Sequence, residues 1–167
     1  MTGTDHGNGR SARMAAFERA SRHLLCTAAE ADSSYGAAVA AGVEDIDEWA
    51  HGAEVDLGEH FEVVWAGSAE ADLETLDRLA AHWPEPPEEE VLLEIALTWG
   101  ALLGERIVDA VGGAWAYRGD PLHHSLVFPR KGVAFFPMHA IVARFLLGDS
   151  AGIEAAYHYL VEYLTES

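Results

Sequence analysis

One apolar stretch constrains this chain more than any other feature. Residues 91–111 carry Leu92, Ile95, Trp99, Leu102, Leu103, Ile107 and Val108 at helical spacing, spread over more than one narrow stripe. Pro87 followed by Glu88, Glu89 and Glu90 marks the start. Proline fits a first helical turn, and carboxylates favour the positive end of the helix dipole. Gly112 and Gly113 supply the left-handed cap that ends it. This helix is therefore expected to be central and largely buried.

The residues after it read as a cover. Three short strands are expected at 114–118, 123–128 and 132–138, because Gly119-Asp120-Pro121 and the run 129–132 carry the turn residues of an antiparallel meander. Two helices should follow, at about 140–147 and 153–164, split by Gly148 with Ser150 as a cap. Upstream, Ser11 can cap a helix with Met14, Phe17, Leu24, Leu25 and Ala28 on its apolar face, ending near residues 32–36. Residues 61–65 read as a short strand. Ser68 or Asp72 should cap a helix bearing Leu73, Leu76, Leu79 and Trp83. The expected fold class is α+β, a small antiparallel three- or four-stranded sheet packed against several helices. It forms one domain over 11–167 behind a disordered polar tail at 1–10. Trp99, Leu103, Trp115 and Phe135 should meet in its core.

Composition narrows the chemistry. Against 28 acidic residues stand 10 lysines and arginines, a formal net charge of −18, and Lys131 is the one lysine. A surface this negative repels phosphate backbones, which argues against nucleic-acid binding, and attracts basic proteins. No apolar run approaches the roughly 20 residues that span a bilayer. Cys26 is the one cysteine, so no intrachain disulfide forms. It falls on a helical apolar pattern as a buried, inert thiol. With no apolar segment near the N-terminus, the expected location is the cytoplasm.

Catalytic patterns are missing. His123 and His124 are adjacent in an expected strand, so their side chains should point to opposite faces. Glu154, His158 and Glu162 share one helix face, opposite Ile153, Tyr157 and Leu160, and read as a solvated stripe. There is no HExxH, no cysteine-based zinc pattern, no Gly-x-Ser-x-Gly elbow and no glycine-rich phosphate loop. The run 44–48 lacks the glycine of a calcium loop. No catalytic residue, metal or cofactor is assigned. Gly100 and Gly104, four apart within the central helix, suggest close approach of another element.

Two candidate sites remain. Trp83 stands directly before an acidic segment with Glu85, Glu88, Glu89 and Glu90, and aromatics flanked by carboxylates suit a basic protein partner. The alternative is a polar pocket between central helix and sheet, lined by Glu105, Arg106, Trp115, His139 and Arg144. In it Arg106 or Arg144 would bind an anion. Paired with carboxylates such as Glu105 and Asp109, the same arginines would instead form a structural ion network.

The sequence also resembles a known family. Gly100-x-x-x-Gly104-Glu105, Gly112-Gly113-x-Trp115, Phe136-Pro137-x-x-x-Ile141-x-x-Arg144 and Gly148-Asp149 are similar to the pattern of a family of small bacterial domains of unknown function, over about residues 92–159. The resemblance implies the fold and no activity. The expected function is that of an acidic, non-catalytic cytoplasmic binding protein, immunity-like or accessory, acting on a basic partner. The alternative is a small enzyme or ligand-binding protein of a biosynthetic pathway.

Overall fold

The computed structural model describes residues 11–39 and 43–166. The expected tail at 1–10 lies outside the described residues. Ser11 caps α1 (Ala12–Ala20), accepting the Met14 N–H at 3.1 Å, and its hydroxyl donates to Glu89 at 2.6 Å. The chain does not stay helical to residue 32. It passes through β1 (Leu25–Thr27), and Thr27 caps a separate α2 (Ala28–Tyr35). Cys26 thus sits in a strand rather than a helix.

A long α3 (Val43–Phe61) follows. The strand expected at 61–65 is absent. Phe61 ends α3, Glu62 turns the chain with φ 53, and residues 62–66 are irregular. Phe-Glu-Val-Val-Trp suits a strand locally, but the segment pairs with none of the four strands of the sheet.

Next come α4 (Ala69–Ala80) and α5 (Glu89–Val111), the helix that the Pro-Glu run and Gly112 delimit. The meander is β2 (Ala114–Ala116), β3 (Ser125–Phe128) and β4 (Val133–Phe135). Residues 121–123 form a 3₁₀ turn in place of the expected strand start. The chain ends in α6 (Pro137–Leu147), a 3₁₀ turn and α7 (Ile153–Thr165). Ser150 does not cap α7, because its hydroxyl donates to the Leu147 carbonyl. Asp77 of α4 does so instead, accepting the N–H groups of Ile153 at 2.8 Å and Glu154 at 2.9 Å.

The sheet is antiparallel throughout, in the order β1-β4-β3-β2. Leu25, Phe135, Leu126 and Trp115 lie in register across it, facing the main core around α5. The next row along the strands, which includes Cys26 and Ala134, faces the other way by strand alternation. There α2 lies on it through Ala31 and Tyr35. The architecture is therefore α+β, as expected. Trp99, Leu103 and Phe135 are buried, whereas Trp115 is half-buried.

Both helix glycines are explained by contact. A Cβ on Gly100 would lie 2.8 Å from Met138 Cγ and 2.9 Å from Met138 Cα, and one on Gly104 would overlap the Trp115 ring. Gly104→Ala gains up to about 1 kcal/mol of helix propensity, but overpacking of this kind costs about 1–3 kcal/mol or more. Its urea midpoint should fall. Gly52 in α3 has open space around it, so Gly52→Ala should raise the midpoint by the same propensity. Equal stabilisation by both substitutions would contradict the packing of α5 on the sheet.

Candidate functional site

Trp83 follows α4 and is half-buried. Its ring meets Trp99 and Phe145 edge-on, at centroid distances of 5.9 and 5.5 Å, and Phe61 lies 6.3 Å away on its outer side. An aromatic column thus runs from the core to the surface, where Phe61 is partly exposed. Beyond Trp83, Glu85, Glu88 and Glu90 are exposed. Glu89 is not equivalent to them, because it accepts from the Ser11 amide at 3.2 Å and from its hydroxyl. That glutamate ties α1 to α5.

The irregular segment after α3 borders the same surface. Phe61, Val64, Leu79 and His82 line one shallow cleft, and the His82 ring is 5.4 Å from Phe61. Val64 is 91% exposed, an unusual position for a valine. The chain on its C-terminal side is fixed. Trp65 donates to the Glu54 carbonyl at 3.0 Å, and the N–H groups of Ala66 and Gly67 bond the Asp72 carboxylate at 2.8 and 3.0 Å. Asp72 is buried and receives Arg106 Nε at 2.8 Å, and Arg106 also reaches Glu54. The valine thus stands in solvent next to a segment anchored by Glu54 and Asp72.

The five residues of the alternative pocket fall into separate groups. Glu105 accepts from Trp115 Nε1 at 2.9 Å. Its pKa is raised, chiefly by burial, with the Asp47 and Asp109 carboxylates adding to the rise. Arg106 belongs to the Asp72 frame. Arg144 binds Asp77 at 3.0 Å and Asp149 at 3.3 Å. His139 is buried on α6 beside His123. Asp72, Glu54 and Asp77, the acceptors of the two arginines, were not evident in the sequence.

A second polar cluster, between α2 and the sheet, was also missed. His123 Nδ1 and His139 Nε2 are 2.8 Å apart. The Tyr35 ring stacks on His123 at 4.1 Å, and Phe136 stacks on His139 at 4.6 Å. Burial lowers the pKa of both imidazoles, that of His139 to about 3. His139 Nδ1 is buried without a hydrogen bond of ordinary geometry, although the His23 backbone lies close enough to favour a proton there. Beside this pair, the buried Arg118 donates to Asp32 at 2.9 Å, to the Gly36 carbonyl and to Ser125 at 3.3 Å.

The polar groups around this cluster are engaged with one another. His124 Nδ1 accepts the Arg118 N–H at 2.9 Å, and burial lowers its pKa to about 4. Ser125 accepts from Arg118 at 3.3 Å. Burial raises the Cys26 thiol, which disfavours the thiolate. His123 and His124 do part company, but through the 3₁₀ turn and not through strand alternation. His158 lies 3.8 Å from Glu154 on an exposed face. Among the described residues, no group of three or more histidine, cysteine or acidic side chains is placed to hold a metal ion, and no helix is long and apolar enough to cross a membrane. Comparison with family models, with curated proteins and with solved structures finds no match for this chain.

Proposed function

We propose that the protein is a non-catalytic binding protein of the cytoplasm, immunity-like or accessory in type, whose partner is a basic protein. The observation that carries this reading is Trp83 with Phe61 against it and Val64 in the same cleft as Phe61, followed in the chain by the exposed Glu85, Glu88 and Glu90. An aromatic anchored in the core and an apolar residue held in solvent beside an anchored segment are the groups that supply affinity in interfaces, since little order is lost when they bind. These carboxylates supply attraction to positive charge. The distribution of the arginines supports it. Arg106, Arg118 and Arg144 are engaged inside the fold with carboxylates of their own, so the exterior is more one-sidedly acidic than the ratio of residues suggests.

Glu89 serves the fold, so the test leaves it in place. Glu85, Glu88 and Glu90 reversed together to lysine should slow association with a basic partner by about tenfold or more at low salt. Val64→Asp should weaken the complex without changing the fold, because Val64 touches so little of it. Proteins retained from native extract should be basic, released by high salt, and lost with either variant while circular dichroism stays native. Undiminished retention by both variants would overturn this assignment of the surface.

A further inference from the structure

On another part of the molecule, a groove runs between the end of α1, β1 and the start of α7. Its volume is about 570 Å³, within the range of roughly 300–1,000 Å³ typical of small-molecule sites. Leu25, Ala143, Leu147, Ala155, Ala156 and Tyr159 make its apolar walls, and Arg22 and His23 stand at the α1 end. The groove exists because alanines of α6 and α7 leave space that larger side chains would fill. Tyr159 is 58% exposed, so one aromatic wall has no partner within the fold.

The charge of this lining runs against the composition of the chain, as does that of a smaller groove beside Arg130 and Lys131. Of 167 residues 28 are aspartate or glutamate, yet among the described residues none that lines the groove is acidic. Arg22 meets Glu18 only at 4.0 Å, and its side chain is 58% exposed. Asp77 comes close beneath Gly152, but its carboxylate is already engaged by Arg144 and by the N–H groups of Ile153 and Glu154. The lining therefore combines an apolar body with a guanidinium and an imidazole at one end, and the carboxylate that competes for the guanidinium is Glu18, at 4.0 Å.

We propose that this groove binds an amphiphilic carboxylate. The aliphatic part of the ligand lies between Leu147 and Tyr159, and its carboxylate meets Arg22 and His23. Guanidinium suits this role because it offers a planar pair of donors to the two carboxylate oxygens. The global field opposes the approach of an anion, so added salt should strengthen this binding by screening the repulsion. A basic protein at the Trp83 surface should show the reverse dependence, and the two sites are therefore separable.

Isothermal titration of the 167-residue chain with octanoate, 1-octanol and acetate tests the proposal. Octanoate should bind once per chain, acetate should not bind, and 1-octanol should bind about tenfold more weakly than octanoate, the loss of one charge-assisted contact. Arg22→Gln should bring octanoate down to the level of the alcohol. Ala155→Trp, at an exposed helix position, should fill the groove and abolish binding while the urea midpoint shows an intact fold. Lysine reversal of Glu85, Glu88 and Glu90 should leave octanoate binding in place. Absence of octanoate binding at millimolar concentration, equal binding of acid and alcohol, or binding untouched by both groove variants would each overturn the proposal.

Discussion

Asp72→Ala should lower the stability of this protein by about 3–5 kcal/mol, the range for removing one partner of a buried ion pair. Asp72 is 2% exposed and accepts three donors, the N–H groups of Ala66 and Gly67 and Nε of Arg106. The alanine leaves all three without their acceptor. Arg106 keeps Glu54, but Glu54 reaches it from the more exposed side. Against a typical total of about 5–15 kcal/mol, a loss of this size is a large part of what holds the fold together. Urea denaturation measures it. Arg106→Met in the same chain should recover much of the loss, since the uncompensated charge is then gone. A single variant within about 1 kcal/mol of wild type, or two losses that simply add, would show that the frame contributes little.

The same substitution ties the fold to the proposed function. Val64 stays in solvent because Trp65, Ala66 and Gly67 are held, and the last two are held by Asp72. Glu62 adopts φ 53 at the entrance of this segment, a conformation that a residue other than glycine rarely takes and that persists only where the surroundings enforce it. Loosening the frame would let Val64 fold back onto Phe61 and Leu79. Under conditions where Asp72→Ala is still folded, partner binding should therefore weaken although no contact residue has changed.

What the sequence disclosed follows from how far apart the interacting residues are. The limits of α5 are marked by local signals, Pro87 with its glutamates and Gly112, and the meander by its turn residues, so these elements were legible. The strand β1 was not. It has three residues, too few to show alternation, and Leu24, Leu25 and Ala28 continue the helical spacing of α1. It is a strand because Leu25 and Cys26 pair with Phe135 and Ala134 of β4, a contact over more than a hundred residues of sequence. The converse holds at 61–65, where local propensity favours a strand and the fold brings no strand alongside.

The same reasoning applies to the candidate sites. Arg106 and Arg144 were identifiable as charges within apolar helices that needed partners. Their partners were not, because Asp72 and Asp77 lie on α4 and only the packing of that helix brings them close. Glu89 appeared equivalent to its neighbours, since nothing local shows that Ser11 will meet it. His139 was placed in a pocket with Trp115, whereas α6 turns it toward His123 and Tyr35 on the far side of the sheet. His123 was misread through an assumed strand, since a proline-led turn and a strand start look alike over three residues.

His139 carries the second large expected effect. Its pKa is lowered to about 3 by burial in the folded protein, against about 6.5 in the unfolded chain. Between those values the unfolded state binds a proton that the folded state does not, so stability falls as pH falls through this window. The slope is about 1.4 kcal/mol per pH unit, or close to 3 kcal/mol by pH 4.5. His123 and His124 shift in the same direction and steepen the decline. His139→Phe removes the titration and keeps an aromatic ring against Phe136. At pH 7.5 the variant should be the less stable protein by about 1 kcal/mol, because His123 loses its hydrogen-bond partner. At pH 4.5 it should be the more stable one. Urea midpoints of the two proteins plotted against pH should therefore cross. Parallel curves would mean that His139 is protonated in the folded state well above pH 3, and that the cluster under α2 accommodates its charge.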